Sequence, residues 1–435
     1  MPFQYIRCCH SNKINELYGQ CYGKGTKEFF ALLYLGRKKY PMDIEPKVNF
    51  EDTRIAFSYQ DDAALRMANF IFTLVSNPVS SFIARGAARL ALFLGLPIKG
   101  LIKKTVFAHF CGGENIEQCA GIVNKLQTYG VGAILDYSVE GEQTEAGFEK
   151  TTREILATLE ASKNNKALPF GVFKVTGIAS NKLLEKVQRK EALTPAEGRA
   201  FEAIEKRVDL ICAKARDYHV PVLIDAEESW IQDPIDQLVY AMMRKYNTEQ
   251  AVVFTTFQMY RTDAMTRLKN AFHEAVMHHY FLGVKMVRGA YMEKERARAV
   301  KMGIPDPIHP NKAATDAAFN KALAFCIDNK QRISLMCGSH NDYSNQYLTV
   351  LMEKHGMANN DPRVWFAQLY GMSDPISFNL ARSGYLVAKY LPFGPVEAVM
   401  PYLIRRAEEN TSVAGQSSRE LMLIRREIRR RKSTG

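Results

Sequence analysis

The sequence contains no Cys-x-x-Cys pair, and its 8 cysteines are spread over 435 residues. This dilution excludes the disulfide framework of a small secreted domain and predicts reduced thiols in an intracellular protein. Cys8, Cys9, His10 and Cys21 are close together, but their spacing matches no common zinc pattern. We therefore predict no metal site.

Other signals are also missing. We find no secretory signal with an apolar core and cleavage site, and no apolar run long enough to span a bilayer. No predicted strand leads into Gly-x-Gly-x-x-Gly, which argues against a dinucleotide-binding Rossmann unit. Zinc-finger spacing, RNA-binding aromatic motifs, low-complexity tracts and short repeats are likewise not found.

Basic residues are in excess, with 58 Lys and Arg against 46 Asp and Glu, giving a net charge of +12 and a pI near 9.2. This balance favours an anionic partner without identifying it. Part of the excess lies in residues 425–432. We interpret that run as a solvated helix end, prefer this to nucleic-acid binding, and keep an anionic membrane surface as an alternative.

The chain divides into four predicted regions. Residues 1–41 are basic, hold three cysteines and lack periodicity, which predicts a poorly ordered arm or a start upstream of the native one at Met42. Residues 42–109 predict a helical cap, and its apolar stretch 92–98 leaves a membrane-surface helix as the alternative. Residues 110–415 predict the main domain, and residues 416–435 a basic C-terminal helix or tail.

Short apolar strands alternate with helical stretches after residue 110. The predicted strands are 132–136, 171–175, 220–225, 251–255, 283–287, 333–337, 364–368 and 385–389. Buried β-branched strands separated by helices are typical of parallel sheets. Eight such units predict a (β/α)8 barrel, with a doubly wound sheet as the alternative.

Polar residues stand where nearly every predicted strand ends. They are Lys174, Asp225, Gln258, Arg288, Ser339, His340 and Gln368. In a barrel these ends share one face, where active sites are built. Packing alone explains one or two such residues but not the series.

The segment around residues 401–410 carries a second polar group. In a helix, Tyr402, Arg405, Arg406 and Glu409 fall on one face. Two arginines offer a planar, bidentate grip on a small carboxylate. A solvated face with an Arg405–Glu409 pair is the alternative, and the tyrosine on the same face argues against it.

This segment resembles the last helix of the proline dehydrogenase family, in which Tyr-x-x-Arg-Arg-x-x-Glu-Asn holds the substrate carboxylate. Six further matches follow the family's order: Val172-Phe173-Lys174, Ile224-Asp225-Ala226-Glu227-Glu228, Phe257-Gln258-Met259-Tyr260, Val287-Arg288-Gly289-Ala290-Tyr291, Gly338-Ser339-His340-Asn341 and Gln368-Leu369-Tyr370-Gly371-Met372. The family's fold is a barrel that binds FAD without the Rossmann fingerprint. The resemblance extends from about residue 110 to the C-terminus.

The resemblance also implies roles for individual residues. Arg405 and Arg406, assisted by Lys174, would hold the proline carboxylate, and Asp225, with Glu409, would order and compensate these cations. The ring would lie against Tyr390, Tyr402 and Leu369. Asp225 and Lys285 are the expected catalytic residues. The expected FAD-binding residues are Ala226, Gln258, Lys285, Arg288, Gly289, Ala290, Ser339 and His340. Many relatives have arginine at position 285, and lysine keeps the charge without the planar fork.

The implied reaction is oxidation of L-proline to Δ1-pyrroline-5-carboxylate by hydride transfer to N5 of FAD, the first step of proline catabolism. The expected electron acceptor is a membrane quinone or another electron-transfer-chain component. No segment resembles an aldehyde dehydrogenase module, which implies release of the product to a separate pyrroline-5-carboxylate dehydrogenase. The implied location is the cytoplasm, peripheral on the inner membrane, or the mitochondrion in a eukaryote.

Three alternatives remain at this point. A hydroxyproline dehydrogenase on the same fold is the nearest, although relatives with that preference carry a smaller residue at position 390. A folate reductase on a flavin barrel would need NAD(P)H and gives no reason for Arg405-Arg406. A non-enzymatic lipid or nucleic-acid binder would use only the basic surface.

Overall fold

The structure is a computed structural model that describes residues 47–76, 99–138, 142–412 and 416–434. The chain divides into two units, Met1–Glu45 and Pro46–Gly435. The predicted arm of residues 1–41, its three cysteines and the apolar stretch 92–98 all lie outside the described residues. The five described cysteines, including Cys111 and Cys337, are free and buried, as predicted for reduced thiols.

Eight parallel strands form the centre of the second unit. They are β1 Val131–Tyr137, β2 Gly171–Lys174, β3 Val222–Asp225, β4 Val253–Gln258, β5 Leu282–Val287, β6 Ile333–Gly338, β7 Val364–Leu369 and β8 Val387–Phe393. The hydrogen-bonded order is β1-β8-β7-β6-β5-β4-β3-β2. This arrangement is a nearly closed (β/α)8 barrel and confirms the predicted fold.

One seam of the barrel differs from the others. Every neighbouring strand pair in the order is joined by a parallel ladder, whereas β1 and β2, as described, share none. Across this seam the Ala133 amide donates to the Ala167 carbonyl at 2.7 Å, just before β2 begins. The main chain is therefore less tightly joined here than elsewhere around the barrel.

Helices surround the sheet. They are α1 Thr53–Ala56, α2 Asp62–Ser76, α3 Lys99–Ile102, α4 Ala108–Phe110, α5 Ile116–Gln127, α6 Glu145–Ser162, α7 Asn181–Gln188, α8 Pro195–Tyr218, α9 Gln232–Tyr246, α10 Ala264–Met277, α11 Met292–Met302, α12 Lys312–Asp328, α13 Asp342–Lys354, α14 Asp374–Arg382, α15 Val396–Ser412 and α16 Gln416–Thr434. A π-helical turn, Lys103–Phe107, joins α3 to α4. In the described part of the chain, no helix is both long enough and apolar enough to cross a membrane.

Side chains alternate between the inside of the barrel and the helical layer, as in any strand. The inward apolar cluster is Ile134, Phe170, Val172, Leu223, Ala251, Phe254, Met336, Ala367, Ala388 and Tyr390. A larger cluster fills the space between the sheet and the helices. On most strands the next inward position is polar, as with Asp136, Lys174 and Asp225, and this places functional groups at the carboxyl-end mouth.

A buried ion pair between β8 and α14 fixes the segment just before α2, which contains Tyr59 and Gln60, to the barrel. Lys389 of β8 is fully buried, and its Nζ lies 2.8 Å from Asp374 Oδ1 and donates to the Met372 carbonyl at 2.6 Å. Asp374 Oδ2 accepts hydrogen bonds from Tyr59 at 2.7 Å and Gln60 at 2.9 Å. Because both charges are satisfied by neighbours, the segment before α2 is part of the folded unit.

Candidate active site

A cavity of about 320 Å³ opens at the carboxyl ends of the strands. All eight strands contribute to its lining, and β2, β3, β5 and β8 supply Lys174, Asp225, Lys285 and Tyr390. Lys174, Asp225 and Tyr390 lie two positions beyond inward apolar residues of the same strands, and Lys285 lies two positions beyond Gly283, so strand alternation directs them into the cavity. The cavity therefore lies at the end of the barrel where the barrel rule predicts an active site.

Thirteen of the predicted site residues line this cavity. They are Lys174, Asp225, Ala226, Gln258, Lys285, Arg288, Gly289, Ala290, Ser339, His340, Leu369, Tyr390 and Tyr402. Arg405, Arg406 and Glu409 belong to α15, which also carries Tyr402, but their side chains lie outside the described part of the structure. The clamp that they were predicted to form stays a prediction.

Asp225 lies between two lysines. Its Oδ1 accepts a hydrogen bond from Lys285 Nζ at 2.6 Å, and its Oδ2 accepts one from Lys174 Nζ at 3.3 Å. Burial opposes ionisation of this carboxyl, but the two ammonium groups outweigh burial and hold the pKa of Asp225 below its usual value. A buried carboxylate thus compensates two cations at the mouth.

Lys285 is 6% exposed and lies against Tyr390. Its Nζ donates to the Tyr390 hydroxyl at 2.6 Å and lies 4.2 Å from the centroid of the ring. Burial lowers the pKa of Lys285 below its usual value, and the Asp225 carboxylate only partly offsets this effect. Burial and the charges of Asp225 and Asp136 raise the pKa of Tyr390 well above its usual value, so the phenol stays protonated.

The other side of the cavity is built around β4, β5 and β6. Both polar atoms of the Gln258 side chain form hydrogen bonds. Its Nε2 donates to the Glu227 carbonyl at 2.8 Å, and its Oε1 accepts from the Ala290 amide at 3.1 Å. Arg288 donates to Asp316 at 2.7 Å and to Ser339 at 2.9 Å. These contacts fix the wall where a cofactor was predicted.

Gly289 is required for a reason that sequence reasoning did not give. Its φ is +136°, and an added Cβ would lie 2.4 Å from the Tyr260 ring. Gly289 was expected only as an FAD-binding residue, where glycine permits close approach of a ligand to the backbone. The described contact is with the buried ring of the chain's own Tyr260.

Gln368, one of the polar strand ends, also lines the cavity. Several other lining residues were not predicted: Asp136, Thr256, Val287, Tyr291, Lys312, Gly338, Asn341, Ala367 and Met372. For Asp136 a signal was available, because it follows the apolar residues of β1 as Asp225 follows those of β3. Tyr291 is 8% exposed and was noticed only as part of a motif. Lys312 comes from α12, and no strand-end rule could identify it.

The donor set suits a large anionic cofactor and a small carboxylate. The described lining has the cationic side chains of Lys174, Lys285, Arg288 and Lys312, against the carboxylates of Asp136 and Asp225. Apolar and aromatic groups supply flat walls between them. A lining of this kind offers flat walls and cations to a ligand with a planar ring and negative charge.

Comparisons with known proteins identify the family to which this barrel belongs. The family model for proline dehydrogenase matches residues 119–419. A carbapenem antibiotics biosynthesis protein, CarD, from Pectobacterium carotovorum subsp. carotovorum is 34% identical over 77% of this chain and 86% of its own. Proline dehydrogenase 1, mitochondrial, of Dictyostelium discoideum is 32% identical over 78% of this chain and 67% of its own.

A solved structure shares the fold. Proline utilization A from Bdellovibrio bacteriovorus, inactivated by N-propargylglycine, superposes with a TM-score of 0.65 at 20% identity. The match covers 83% of this chain but only 38% of that one. The chain belongs to the proline dehydrogenase family and is an oxidoreductase of that kind.

Proposed function

We propose that this chain oxidises L-proline to Δ1-pyrroline-5-carboxylate with FAD as its resident cofactor. The observation that carries the proposal is the hydrogen-bonded, partly buried arrangement of Lys174, Asp225, Lys285 and Tyr390 at the mouth of a proline dehydrogenase family barrel. Bound FAD would supply the hydride acceptor at its N5. The chain itself supplies binding, orientation and electrostatics.

The substrate carboxylate needs cations that neighbouring groups hold in place. Lys174 is held by Asp225 at 3.3 Å, a longer contact than the 2.6 Å between Lys285 and Asp225. Arg405 and Arg406 would complete the clamp from α15. A charge-assisted, partly buried grip of this kind selects an amino acid over a neutral ring.

The ring has an apolar wall available. Tyr390 and Tyr402 are buried in the lining, at 6% and 5% exposure, and Leu369 lies with them. Hydride leaves the ring carbon next to nitrogen together with its two electrons, and the amine must be neutral for its lone pair to form the new C=N bond. The substrate ammonium group therefore loses its proton before the hydride leaves. For this reason, we expect the rate of proline oxidation to rise with pH.

The cofactor would lie toward β4, β5 and β6. Gln258 and Lys285 would face the isoalloxazine ring, with Ala226 beside it, and Arg288, Gly289, Ala290, Ser339 and His340 would line the rest. Close contact positions the substrate carbon for transfer and excludes water. Electrons would pass on to a quinone at a membrane surface, in keeping with the net charge of +12.

A hydroxyproline substrate is the second candidate. Tyr390 argues against it, because Lys285 holds the phenol in place at 2.6 Å and the ring cannot readily move aside for a hydroxyl group. Tyr390 also belongs to the inward apolar cluster of the barrel. Proline is therefore the preferred substrate in this proposal.

The test is an absorbance spectrum of the purified protein followed by anaerobic addition of L-proline. We expect a flavin spectrum that bleaches with L-proline faster than with trans-4-hydroxy-L-proline and does not bleach with NADH. Bleaching by NADH would instead support a reductase. A protein that neither contains nor binds FAD would refute the proposal, and reduction of a soluble quinone by the proline-reduced protein checks the acceptor.

A further inference from the structure

The C-terminal helix α16 reaches the cofactor side of the cavity through one buried carboxylate. Glu420, 8% exposed, accepts a hydrogen bond at Oε2 from the Ser373 amide at 2.8 Å. The Ser373 hydroxyl lies 2.9 Å from His340 Nδ1. His340 lines the cavity, so two hydrogen bonds join α16 to its wall.

Ser373 has an unusual backbone conformation. It precedes α14 with φ +54° and ψ +39°, the left-handed region that residues other than glycine seldom adopt. A serine at this position usually caps the helix with its hydroxyl, but here no such hydrogen bond forms. The hydroxyl faces His340 instead, and the amide, which a helix start leaves without an internal partner, is taken by Glu420.

The direction of the hydrogen bond between His340 and Ser373 follows from the partner of the other imidazole nitrogen. The Leu369 amide donates to His340 Nε2 at 3.4 Å, which makes Nε2 the acceptor. Nδ1 then carries the proton and donates to the Ser373 hydroxyl oxygen. The imidazole is thus oriented from both sides by the turn that follows β7.

The residue before Glu420 acts on the other side of His340. Arg419 makes a two-point contact with Asp342, with Nη1 to Oδ1 at 2.9 Å and Nη2 to Oδ2 at 2.7 Å. Asp342 begins α13, two residues after His340. Consecutive residues of α16 therefore hold both segments that flank this histidine, which a helix that merely covers the barrel does not require.

We propose that Glu420 is a positioning residue for the cofactor site, holding His340 in its cavity-facing orientation through Ser373. This inference rests on the proposed function, because it takes FAD as the group that His340 contacts. Glu420 itself does not line the cavity, and it acts only through its neighbours. The C-terminal helix is on this view part of the flavin-binding machinery.

The test compares flavin affinity with fold stability in the full chain. Flavin fluorescence after dilution of the holoprotein gives the FAD dissociation constant, and thermal unfolding without added FAD gives Tm. We expect E420L to weaken FAD binding about tenfold, the effect of one lost charge-assisted hydrogen bond. E420Q keeps an acceptor for the Ser373 amide, so we expect it to stay within about threefold of wild type.

The matched control is E427L on the same helix. Glu427 is fully buried and pairs with Arg430 and Arg431, with no connection to Ser373. We expect E427L to lower Tm while leaving the FAD dissociation constant within about twofold of wild type. The inference would be overturned if E420L and E427L lowered Tm equally and E420L weakened FAD binding no more than E427L.

Two further variants keep the inference testable if E420L does not fold. S373A keeps the amide that Glu420 holds and removes only the hydroxyl, and we expect it to weaken FAD binding as E420L does. In an H340A background, S373A should add no further loss, since both changes remove one contact. If S373A and H340A instead weakened FAD binding independently, so that their effects on the dissociation constant multiplied, the path through His340 would be refuted. A wild-type chain that does not bind FAD would instead refute the proposed function itself.

Discussion

The Lys285 ammonium group and the Tyr390 ring meet in two ways, through a 2.6 Å hydrogen bond to the hydroxyl and a 4.2 Å approach to the ring centroid. The lysine thereby fixes both the position and the tilt of an aromatic wall. An aromatic group held in this way can discriminate by shape, because it cannot yield without breaking a buried contact.

Tyr390→Ser should raise hydroxyproline turnover relative to proline turnover. The smaller side chain removes the ring that meets a hydroxyl group on the substrate, and we expect a change of at least about tenfold in the ratio of kcat/KM values. Tyr390→Phe is the matched control, since it keeps the wall and loses only the hydrogen bond to Lys285. An unchanged ratio in the serine variant would mean that Tyr390 does not set specificity.

Asp225→Asn should lower kcat/KM for proline about 10²-fold or more. The change leaves Lys174 and Lys285 without the carboxylate that orders them and compensates their charge, so the site loses its geometry for binding and orienting the substrate. Steady-state kinetics with a soluble acceptor measures the effect. Asp209→Asn, at a surface pair with Lys245, is the control and should behave like wild type. Near-normal kinetics for the Asp225 variant would exclude its proposed role.

Arg405→Ala or Arg406→Ala should raise KM for proline about 10²-fold with a smaller effect on kcat. Each change removes a charge-assisted contact to the substrate carboxylate, worth about 1.5–3 kcal/mol. Arg425→Ala on α16 serves as control, because Arg425 contacts Asn69 and Thr73 away from the cavity. Unchanged KM values in both variants would remove the clamp from the mechanism.

Lys389→Met should destabilise the fold by about 3–5 kcal/mol, since it leaves Asp374 buried without its cation. Urea unfolding gives the value. Lys245→Met at the surface should cost less than about 1 kcal/mol. Adding Asp374→Leu to Lys389→Met should recover part of the loss, and strictly additive losses would contradict a coupled buried pair.

Stability should decline between about pH 5 and pH 8 through Glu420. Burial, then the negative charge of Asp374, raises the pKa of Glu420 to about 7, while Lys389 and Arg419 act in the opposite direction. A carboxyl whose folded-state pKa is raised contributes its stability below the unfolded value near 4.5 and loses it as pH rises through 7. Glu420→Gln, which cannot titrate, should flatten this part of the profile by about 2 kcal/mol. If the free energy of unfolding changed with pH in the same way for the variant and the wild type, Glu420 would not be the group responsible.

The barrel was predictable because its signals are local. Each buried strand is a short apolar run, and each polar strand end is visible in the sequence, which is how Asp225 and Lys174 were found. Boundaries were less accurate, and β8 extends to Phe393 rather than ending near residue 389. The register opposite β1 keeps Pro392 in the strand, and its carbonyl accepts from the Gly112 amide at 2.8 Å.

Long-range contacts could not be read from the sequence. Ser373 and Glu420 are 47 residues apart, and nothing in the composition of α16 distinguishes Glu420 from the other charged residues of that helix. The same holds for Tyr59 and Asp374, separated by 315 residues. Pairings of this kind depend on how the helices are placed around the sheet, which local propensity does not determine.

The seam between β1 and β2 gives the two halves of the cavity different mechanical compliance. Lys174 ends β2 at this seam, whereas Gln258 and Lys285 stand on strands with a ladder on each side. Thermal opening of a sheet begins where the fewest main-chain hydrogen bonds must break. On the proposed function, we therefore expect the half around Lys174 to widen more easily for entry and exit of a small ring, and the half around Gln258 to keep its geometry for the cofactor.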